Sequence, residues 1–141
     1  MDPKTLACEY YHRLDSGAAD LLDLFADDVE IYFPKFGVAR GKAAFGELIA
    51  GLLTSLAAIE HDKDDLVFIV DGNRVAVEGR TRGRLHGGAE WRGGETPGGR
   101  FASVFEARDG LIGRMYVYLD PDYGGDHAAG FLWPASDARG W

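Results

Sequence analysis

The stretch YYHRLDSGAADLLDLFADDVEIYFP, residues 10–34, decides how the rest of the chain is arranged. Apolar residues recur at helical spacing up to Leu14, which predicts an amphipathic first helix that ends at Asp-Ser-Gly, residues 15–17. An apolar stripe predicts a short second helix at residues 21–25, and it consists of Leu21, Leu22, Leu24 and Phe25. The β-branched and aromatic run at residues 29–33 predicts the first strand, which a proline ends. The chain therefore begins with two helices and then turns into a sheet.

The remaining pattern predicts one more helix and four strands. Apolar residues at helical spacing over residues 42–59 predict one long helix. The tight-turn motifs Asp-Gly-Asn at residues 71–73 and Arg-Asp-Gly at residues 108–110 predict two antiparallel hairpins. Their strands are predicted at residues 61–70, 74–86, 100–107 and 111–120. This order predicts an α+β fold, a cone in which a strongly curved antiparallel sheet wraps around one long and two shorter helices.

Two segments lack a regular pattern. Residues 87–99, GGAEWRGGETPGG, are so rich in glycine that we interpret them as a surface turn. The alternative is a lid in which Trp91 closes over a ligand. Residues 122–141 are interpreted as a C-terminal strap over the body or a subunit contact, through the apolar cluster Phe-Leu-Trp-Pro at residues 131–134.

Length and charge restrict the class of protein. The 141 residues suit one domain, residues 1–141, with its body at residues 3–122. The net charge of −8 argues against nucleic acids and anionic membranes as partners, because both bind basic surfaces. The single cysteine, Cys8, excludes an internal disulfide, and no signal peptide or bilayer-spanning run is visible. We therefore expect a cytoplasmic protein.

A carboxylate and a histidine are the strongest candidates for chemistry. His61 is predicted to begin a strand with its ring on the apolar side, the face that Ile59, Val67 and Ile69 share. Asp15 ends a helix over the open end of that sheet. A carboxylate bonded to one imidazole nitrogen fixes the tautomer and stabilises the imidazolium. The other nitrogen is then a base suited to an acidic C–H bond. We predict that the two side chains lie within about 3.2 Å.

Other residues are predicted to surround this pair. The main cavity is expected between the helices and the concave side of the sheet, with walls or underlying core at Leu14, Phe25, Phe33, Phe45, Ile49 and Val67. The predicted substrate-binding residues are Phe33, Phe36, His86, Trp91, Arg114, Tyr116, Tyr118 and Asp120. For His86, strand alternation favours the arginine face unless a bulge at Gly83 resets the register.

The last strand leaves an alternative open. Arg114, Tyr116 and Tyr118 share one face, where they either line a pocket or contact a second subunit. Because a face that mixes arginine and tyrosine is typical of subunit interfaces, we expect a homodimer through the outer face of the sheet. The sequence has no metal-ligand spacing and no nucleotide-cofactor motif, so neither a metal nor a cofactor is expected.

Several motifs resemble those of a known family. Tyr10, LDSG at residues 14–17, LFADDV at 24–29, FEARDGLI at 105–112 and YLD at 118–120 resemble SnoaL-like proteins of the nuclear-transport-factor-two superfamily. The resemblance extends over roughly residues 5–122 and implies the same cone-like fold, a cystatin-like roll with a curved antiparallel or mixed sheet. That fold hosts isomerases, dehydratases, epoxide hydrolases, polyketide cyclases and non-catalytic binders.

The resemblance also implies site residues. Asp15 and His61 resemble the His–Asp dyad of the superfamily's dehydratases, and Tyr10 and His86 resemble further active-site residues there. The acidic residues of ketosteroid isomerase fall instead at Phe33 and Phe101, which disfavours that mechanism.

Two functions remain. The first is a cofactor-free lyase or isomerase for a small hydrophobic carbonyl or hydroxyl compound, with His61 and Asp15 as the base and Tyr10 as a hydrogen-bond donor. The alternative is a non-catalytic small-ligand-binding or assembly domain with the same pocket.

Overall fold

The computed structural model describes residues 1–131 and 140–141. Helices α1 (Pro3–Ser16) and α2 (Lys42–Leu53) pack against an eight-stranded sheet. The strands are β1 (Phe25–Phe33), β2 (Gly37–Arg40), β3 (Leu56–His61), β4 (Val67–Asp71), β5 (Arg74–Leu85), β6 (Glu90–Arg92), β7 (Arg100–Arg108) and β8 (Leu111–Leu119). Three short 3₁₀ turns lie at Leu21–Leu24, Lys63–Asp65 and Ala128–Phe131. No helix within the described ranges is both long enough and apolar enough to cross a membrane.

Strand β5 pairs with four other strands, β3, β4, β6 and β7. The strand order is β2-β1-β8-β7-β5-β3, and β4 and β6 also pair with β5. Only the β1–β8 pair is parallel among these named strands, so the sheet is mixed. The two hairpins predicted from the turn motifs are present as β4–β5 and β7–β8. The predicted α+β fold is confirmed.

Helix α1 begins and ends as the sequence predicts. The carboxylate of Asp2 caps its first turn by accepting the backbone N–H of Thr5 at 3.0 Å. Gly17 ends it with φ of 65°, a left-handed conformation that favours glycine. The helix buries Leu6, Ala7, Tyr10 and Tyr11 against the sheet. Its last turn, which carries Asp15, is therefore held at one end of the core.

Helix α2 is shorter than predicted. It ends at Leu53 rather than at residue 59, and Leu56–His61 forms β3 instead. The hydroxyl of Thr54 donates to the carbonyl of Gly51 at 2.6 Å, and this local bond marks the helix end. Beyond it, the chain pairs with the C-terminal half of β5, which gains a neighbouring strand there. The prediction of one long helix was wrong because that pairing is non-local.

The predicted strand at residues 61–70 is two separate elements. His61 ends β3, the turn Lys63–Asp65 follows, and β4 begins at Val67. Val67 and Ile69 are 54% and 69% exposed, so the prediction that they share the face of His61 was wrong. Val67 consequently is not a cavity wall. The first strand also begins earlier than predicted, directly after the 3₁₀ turn that replaces the second helix.

The glycine-rich segment holds a buried tryptophan. Strand β6 pairs with β5, and Trp91, which is only 2% exposed, packs on Tyr123 with ring centroids 4.6 Å apart. Its Nε1 donates to the hydroxyl of Thr81 at 3.0 Å. A Cβ on Gly83 would lie 2.2 Å from the carbonyl of Ala58 and 2.3 Å from the Trp91 ring, so only glycine allows this approach. Trp91 is therefore a core residue and not a lid, and the surface-turn interpretation is correct for the residues on either side of β6 but wrong for Trp91.

The C-terminal tail is only partly described. Tyr123 is buried against Trp91, and Phe131 is exposed. The rest of the predicted apolar cluster, Leu132, Trp133 and Pro134, lies outside the described residues.

We expect Trp91→Ala to lower the free energy of unfolding by about 3–5 kcal/mol, because it removes a buried aromatic ring and leaves a cavity. Phe36→Ala, at an exposed ring, is the control and should cost about 1 kcal/mol or less. Urea denaturation followed by circular dichroism measures both values. Equal midpoints for the two variants would contradict the core role of Trp91.

Candidate functional site

A cavity of about 570 Å³ lies between α1, α2 and the inner face of the sheet, where the sequence predicts it. This volume is within the range of about 300–1,000 Å³ for pockets that hold drug-sized molecules. The predicted residues Leu14, Phe33, Phe45 and Ile49 line it, and Phe25 is buried in the core. Its walls are mainly apolar, so the few polar groups that line it are the candidates for binding or chemistry.

The carboxylate of Asp15 takes part in three hydrogen bonds at the polar end of this cavity. Its side chain is 7% exposed, and it lies at the end of α1 beside the end of β3. Oδ1 lies 2.7 Å from Nδ1 of His61. Oδ2 accepts the backbone N–H of His61 at 2.9 Å and Nζ of Lys63 at 2.7 Å. The predicted contact between the Asp15 and His61 side chains is therefore present.

These bonds fix the charge of Asp15. Burial raises the pKa of its carboxyl, but hydrogen bonds from His61 and Lys63 outweigh burial and hold the pKa below its ordinary value. Asp15 is thus a carboxylate at neutral pH. Because a carboxylate only accepts hydrogen bonds, Nδ1 of His61 carries the proton in their contact.

The other side of the His61 ring faces the cavity. The ring lies between Tyr11 and Phe101, with centroid distances of 4.8 Å and 5.3 Å. Its side chain is 11% exposed and lines the cavity. Within the described ranges, no group bonds to Nε2 of His61. That nitrogen is available to accept a proton from a molecule in the cavity.

Two tyrosines of α1 reach the same space. Tyr10 and Tyr11 both line the cavity, and burial raises the pKa of each, that of Tyr10 well above its ordinary value. Both hydroxyls are therefore neutral hydrogen-bond donors at neutral pH. Tyr10 was predicted from the family resemblance.

The sequence interpretation did not single out Tyr11, Lys63 and Ser103. Tyr11 lies four positions before Asp15, so helical spacing alone places both on one face. Ser103 is a polar residue between two inward phenylalanines of β7, a break in the apolar alternation that could have identified it. No signal in the sequence distinguishes Lys63 from other surface lysines.

Four predicted substrate-binding residues do not line the cavity. His86 is exposed, with its Nε2 2.9 Å from the carbonyl of Leu53. The register shift in the β3–β5 pair lies between Leu56 and Ala58 of β3, not at Gly83, so β5 keeps its alternation. Phe36 is exposed at the β1–β2 turn. Trp91 belongs to the second core cluster. Asp120 follows β8 and accepts the backbone N–H of Asp122, as a residue that ends a strand does.

Three more of them lie on the outer face of the sheet. Arg114 stacks over the Tyr116 ring at 3.5 Å, and the Tyr116 hydroxyl donates to Glu30. Tyr118 is also exposed on this face. The prediction that these residues line a pocket was wrong, since inward positions of β8 are taken by Met115 and Val117. The alternative interpretation, a contact with a second subunit, stays a prediction.

A second, larger recess lies on the other side of Asp15. It measures about 840 Å³ and is open to solvent, with paired charges such as Arg82 and Glu60 along its walls. We regard the smaller internal cavity as the site, because it alone combines the free Nε2 of His61 with apolar walls. In the part of the chain that the structure describes, no three His, Cys, Asp or Glu side chains are grouped as a metal site.

Comparison with known proteins agrees with the resemblance seen in the motifs. The model of the SnoaL-like domain family matches residues 8–115. None of the curated proteins compared with this chain matches it.

Solved structures with the same fold are similar in sequence only at a low level. A proposed polyketide cyclase from Xanthomonas campestris pv. campestris is 23% identical, with a TM-score of 0.71 over 83% of this chain and 89% of that chain. A nuclear transport factor two-like protein of unknown function from Burkholderia pseudomallei is 19% identical, with a TM-score of 0.71 and the same coverage, 83% and 89%. TerC, co-crystallised with polyporic acid, is 22% identical, with a TM-score of 0.68 over 82% of this chain and 89% of that chain. At these identities the likeness shows the fold alone.

We expect Asp15→Asn to lower the free energy of unfolding at pH 7 by about 1.5–3 kcal/mol, the range for hydrogen bonds to charged groups. Since the folded pKa of Asp15 is below its ordinary value of 3.8, this stabilisation is present above pH 3.8 and is lost as the pH falls through the folded pKa. The gap between wild type and variant should therefore narrow in acid. Urea denaturation at a series of pH values measures it.

The matched control is Asp64→Asn, which removes an exposed carboxylate without a partner among the described residues. It should change the unfolding free energy by about 0.5 kcal/mol or less. A gap for Asp15→Asn that is no larger than the control's, or that persists unchanged in acid, would mean that Asp15 is not held as described.

Proposed function

Because the chain belongs to the family of SnoaL-like domains, we propose that it is a cofactor-free enzyme that isomerises, cyclises or dehydrates a small hydrophobic molecule. The observation that supports this is the buried contact between Asp15 and His61, with Nε2 of His61 facing an apolar cavity. The proposed polyketide cyclase of X. campestris and the TerC–polyporic acid complex have the same fold, which is consistent with a small organic substrate.

His61 is the proposed base. Its Nε2 accepts a proton from a C–H bond next to a carbonyl group, and the electron pair of that bond becomes the enolate. The imidazolium then returns the proton: to a second carbon in an isomerisation, to the new alkoxide in a cyclisation, or to a departing hydroxyl as water in a dehydration. A tyrosine hydroxyl that donates to the enolate oxygen stabilises the charge that develops there.

Asp15 and Lys63 are proposed to position the base. Asp15 stays a carboxylate at neutral pH, so it orients the ring and stabilises the imidazolium without taking the proton. Lys63 holds Oδ2 from the solvent side, which leaves Oδ1 directed at Nδ1. The dry walls strengthen each of these electrostatic interactions relative to water.

We expect His61→Ala to reduce proton transfer by about 10²- to 10⁴-fold, the usual contribution of a general base. The assay follows hydrogen–deuterium exchange at the carbon next to the carbonyl in a panel of ring ketones in D₂O, by NMR. His86→Ala is the matched control, because this exposed histidine does not line the cavity. Exchange that is equal in wild type and in His61→Ala would instead favour the alternative function, a non-catalytic binding or assembly domain.

We also propose that two copies of the chain associate through the outer face of the sheet. The register of the strands places one apolar or aromatic residue of each strand in a continuous row across that face. From β4 to β2, the row consists of Ile69, Ala76, Val104, Tyr116, Tyr32 and Val38. Ile69 and Val38 at its ends are exposed and the four residues between them are half-buried. A partly exposed apolar row of this length is typical of an interface, and a second copy offers the same row in return.

The neighbouring row supports a copy of the same chain as the partner. Its residues alternate in charge, in the order Asp71, Arg74, Glu106, Arg114, Glu30 and Arg40. Arg74 pairs with Glu106 at 2.9 Å, and Arg40 pairs with Glu30 at 2.8 Å. Because the row is neutral as a whole, the interface adds no repulsion between two chains that each carry a net charge of −8.

We expect Val104→Glu to convert the dimer to a monomer of 15.4 kDa, since it buries an unpaired charge at the centre of the row. Light scattering at micromolar concentration measures the mass. The control is Val70→Glu, at an exposed valine of β4 that lies off the row and on the opposite side of its strand. A wild-type protein of monomer mass would contradict this proposal and leave the proposed chemistry unaffected.

A further inference from the structure

The hydroxyl of Tyr11 is buried and, among the described residues, has no hydrogen-bond partner of regular geometry. It lies on the wall of the cavity. Buried hydroxyls in native proteins are nearly always bonded, so an exception calls for an explanation. In a cavity of this size, a bound molecule can supply the missing partner.

A second hydroxyl faces the same point. Ser103 is buried on β7, between the inward rings of Phe101 and Phe105, and it also lines the cavity. It lies close enough to Tyr11 to oppose in part the rise in the Tyr11 pKa that burial causes, although the two hydroxyls do not form a hydrogen bond of regular geometry. The hydroxyls of Tyr11 and Ser103 therefore both line this part of the cavity, and each can donate a hydrogen bond to a bound molecule and accept one from it.

This position is next to the proposed base. The ring of Tyr11 is 4.8 Å from that of His61, centroid to centroid, and Phe101 packs against both rings at 5.6 Å and 5.3 Å. A molecule that accepts a hydrogen bond from Tyr11 therefore lies in the cavity that His61 also lines.

We infer that Tyr11 and Ser103 form the subsite that binds an oxygen atom of the substrate, and that the substrate is a flat ring ketone or hydroxyketone. Its oxygen accepts the Tyr11 hydroxyl, and a neighbouring C–H bond lies at Nε2 of His61. The inference rests on the proposed function, which it extends by naming the substrate class. The flat shape follows from the many aromatic rings of the cavity, Tyr10, Tyr11, Phe33, Phe45, Phe101 and Tyr123.

The neighbouring tyrosine is less suited to this role. The ring of Tyr10 packs against Phe25, Phe45 and Phe105, at centroid distances of 6.0, 6.2 and 5.4 Å. No contact joins it to the His61 ring. Tyr10 also packs against Tyr11 at 5.0 Å, so most of its ring contacts are with aromatic rings and none is with the His61 ring, and it serves as a control within the same helix.

The experiment uses 1-indanone and indane, two probes with the same ring skeleton that differ in one carbonyl oxygen. Wild type should bind 1-indanone about 3- to 10-fold more tightly than indane, as expected for one neutral hydrogen bond. Tyr11→Phe, which removes only the hydroxyl, should abolish this preference. Tyr10→Phe should retain it. Calorimetric titration of the full chain measures the four affinities.

A spectroscopic readout tests the contact itself. The C=O stretch of bound 1-indanone should shift to lower frequency in wild type and in Tyr10→Phe, because a hydrogen bond weakens the carbonyl bond. It should stay at the unbonded frequency in Tyr11→Phe. Ser103→Ala should give an intermediate shift.

The outcomes separate this inference from the proposed function. Binding of both probes with equal affinity in wild type would overturn the subsite, as would a preference that persists in Tyr11→Phe. In those cases the proton transfer assigned to His61 would still stand. If neither probe binds at millimolar concentration, the cavity is not a ligand site, and the inference and the proposed function fail together.

Discussion

The carboxylate of Asp15 joins two parts of the chain that are 46 residues apart in sequence. It ends α1, and it bonds to the side chain and the backbone of His61 at the end of β3, where the sheet has its edge. Because Lys63 bonds to the same group, both oxygens of a nearly buried charge are occupied. A buried charge without such partners would cost several kcal/mol, so this end of the fold depends on the three contacts together.

The same contacts explain why the cavity has one polar end. Elsewhere the inner face of the sheet carries residues such as Val117 and Phe101, which need no partner. The polar atoms are gathered where the backbone of β3 ends and where Gly17 stops the helix. A site of this kind combines an apolar volume that excludes water with a small number of oriented groups, and that combination allows weak bases to act on weak acids.

The sequence predicted correctly those parts of the fold that are determined by residues close together in the chain. The Gly17 cap and the turn before Arg74 were correct because their residues prescribe the backbone. The predicted end of α2 was wrong because residues 56–61, whose pattern also fits a helix, pair with β5 as the strand β3. Trp91 was misplaced because its neighbouring glycines suggest a turn, whereas Gly83 is required by the close approach of the ring. The contact between Asp15 and His61 was predicted correctly, although the strand that carries His61 was not.

Helical spacing distinguishes Tyr10 from Tyr11 by their angular positions relative to Asp15 on α1. An α-helix turns by about 100° per residue, so a residue four positions before Asp15 lies about 40° from it around the axis. A residue five positions before it lies about 140° away. Tyr11 occupies the first position and contacts the His61 ring, and Tyr10 occupies the second and packs on Phe25. The family resemblance favours Tyr10, but the helix places the ring of Tyr11, and not that of Tyr10, against the ring of His61, with 4.8 Å between the centroids.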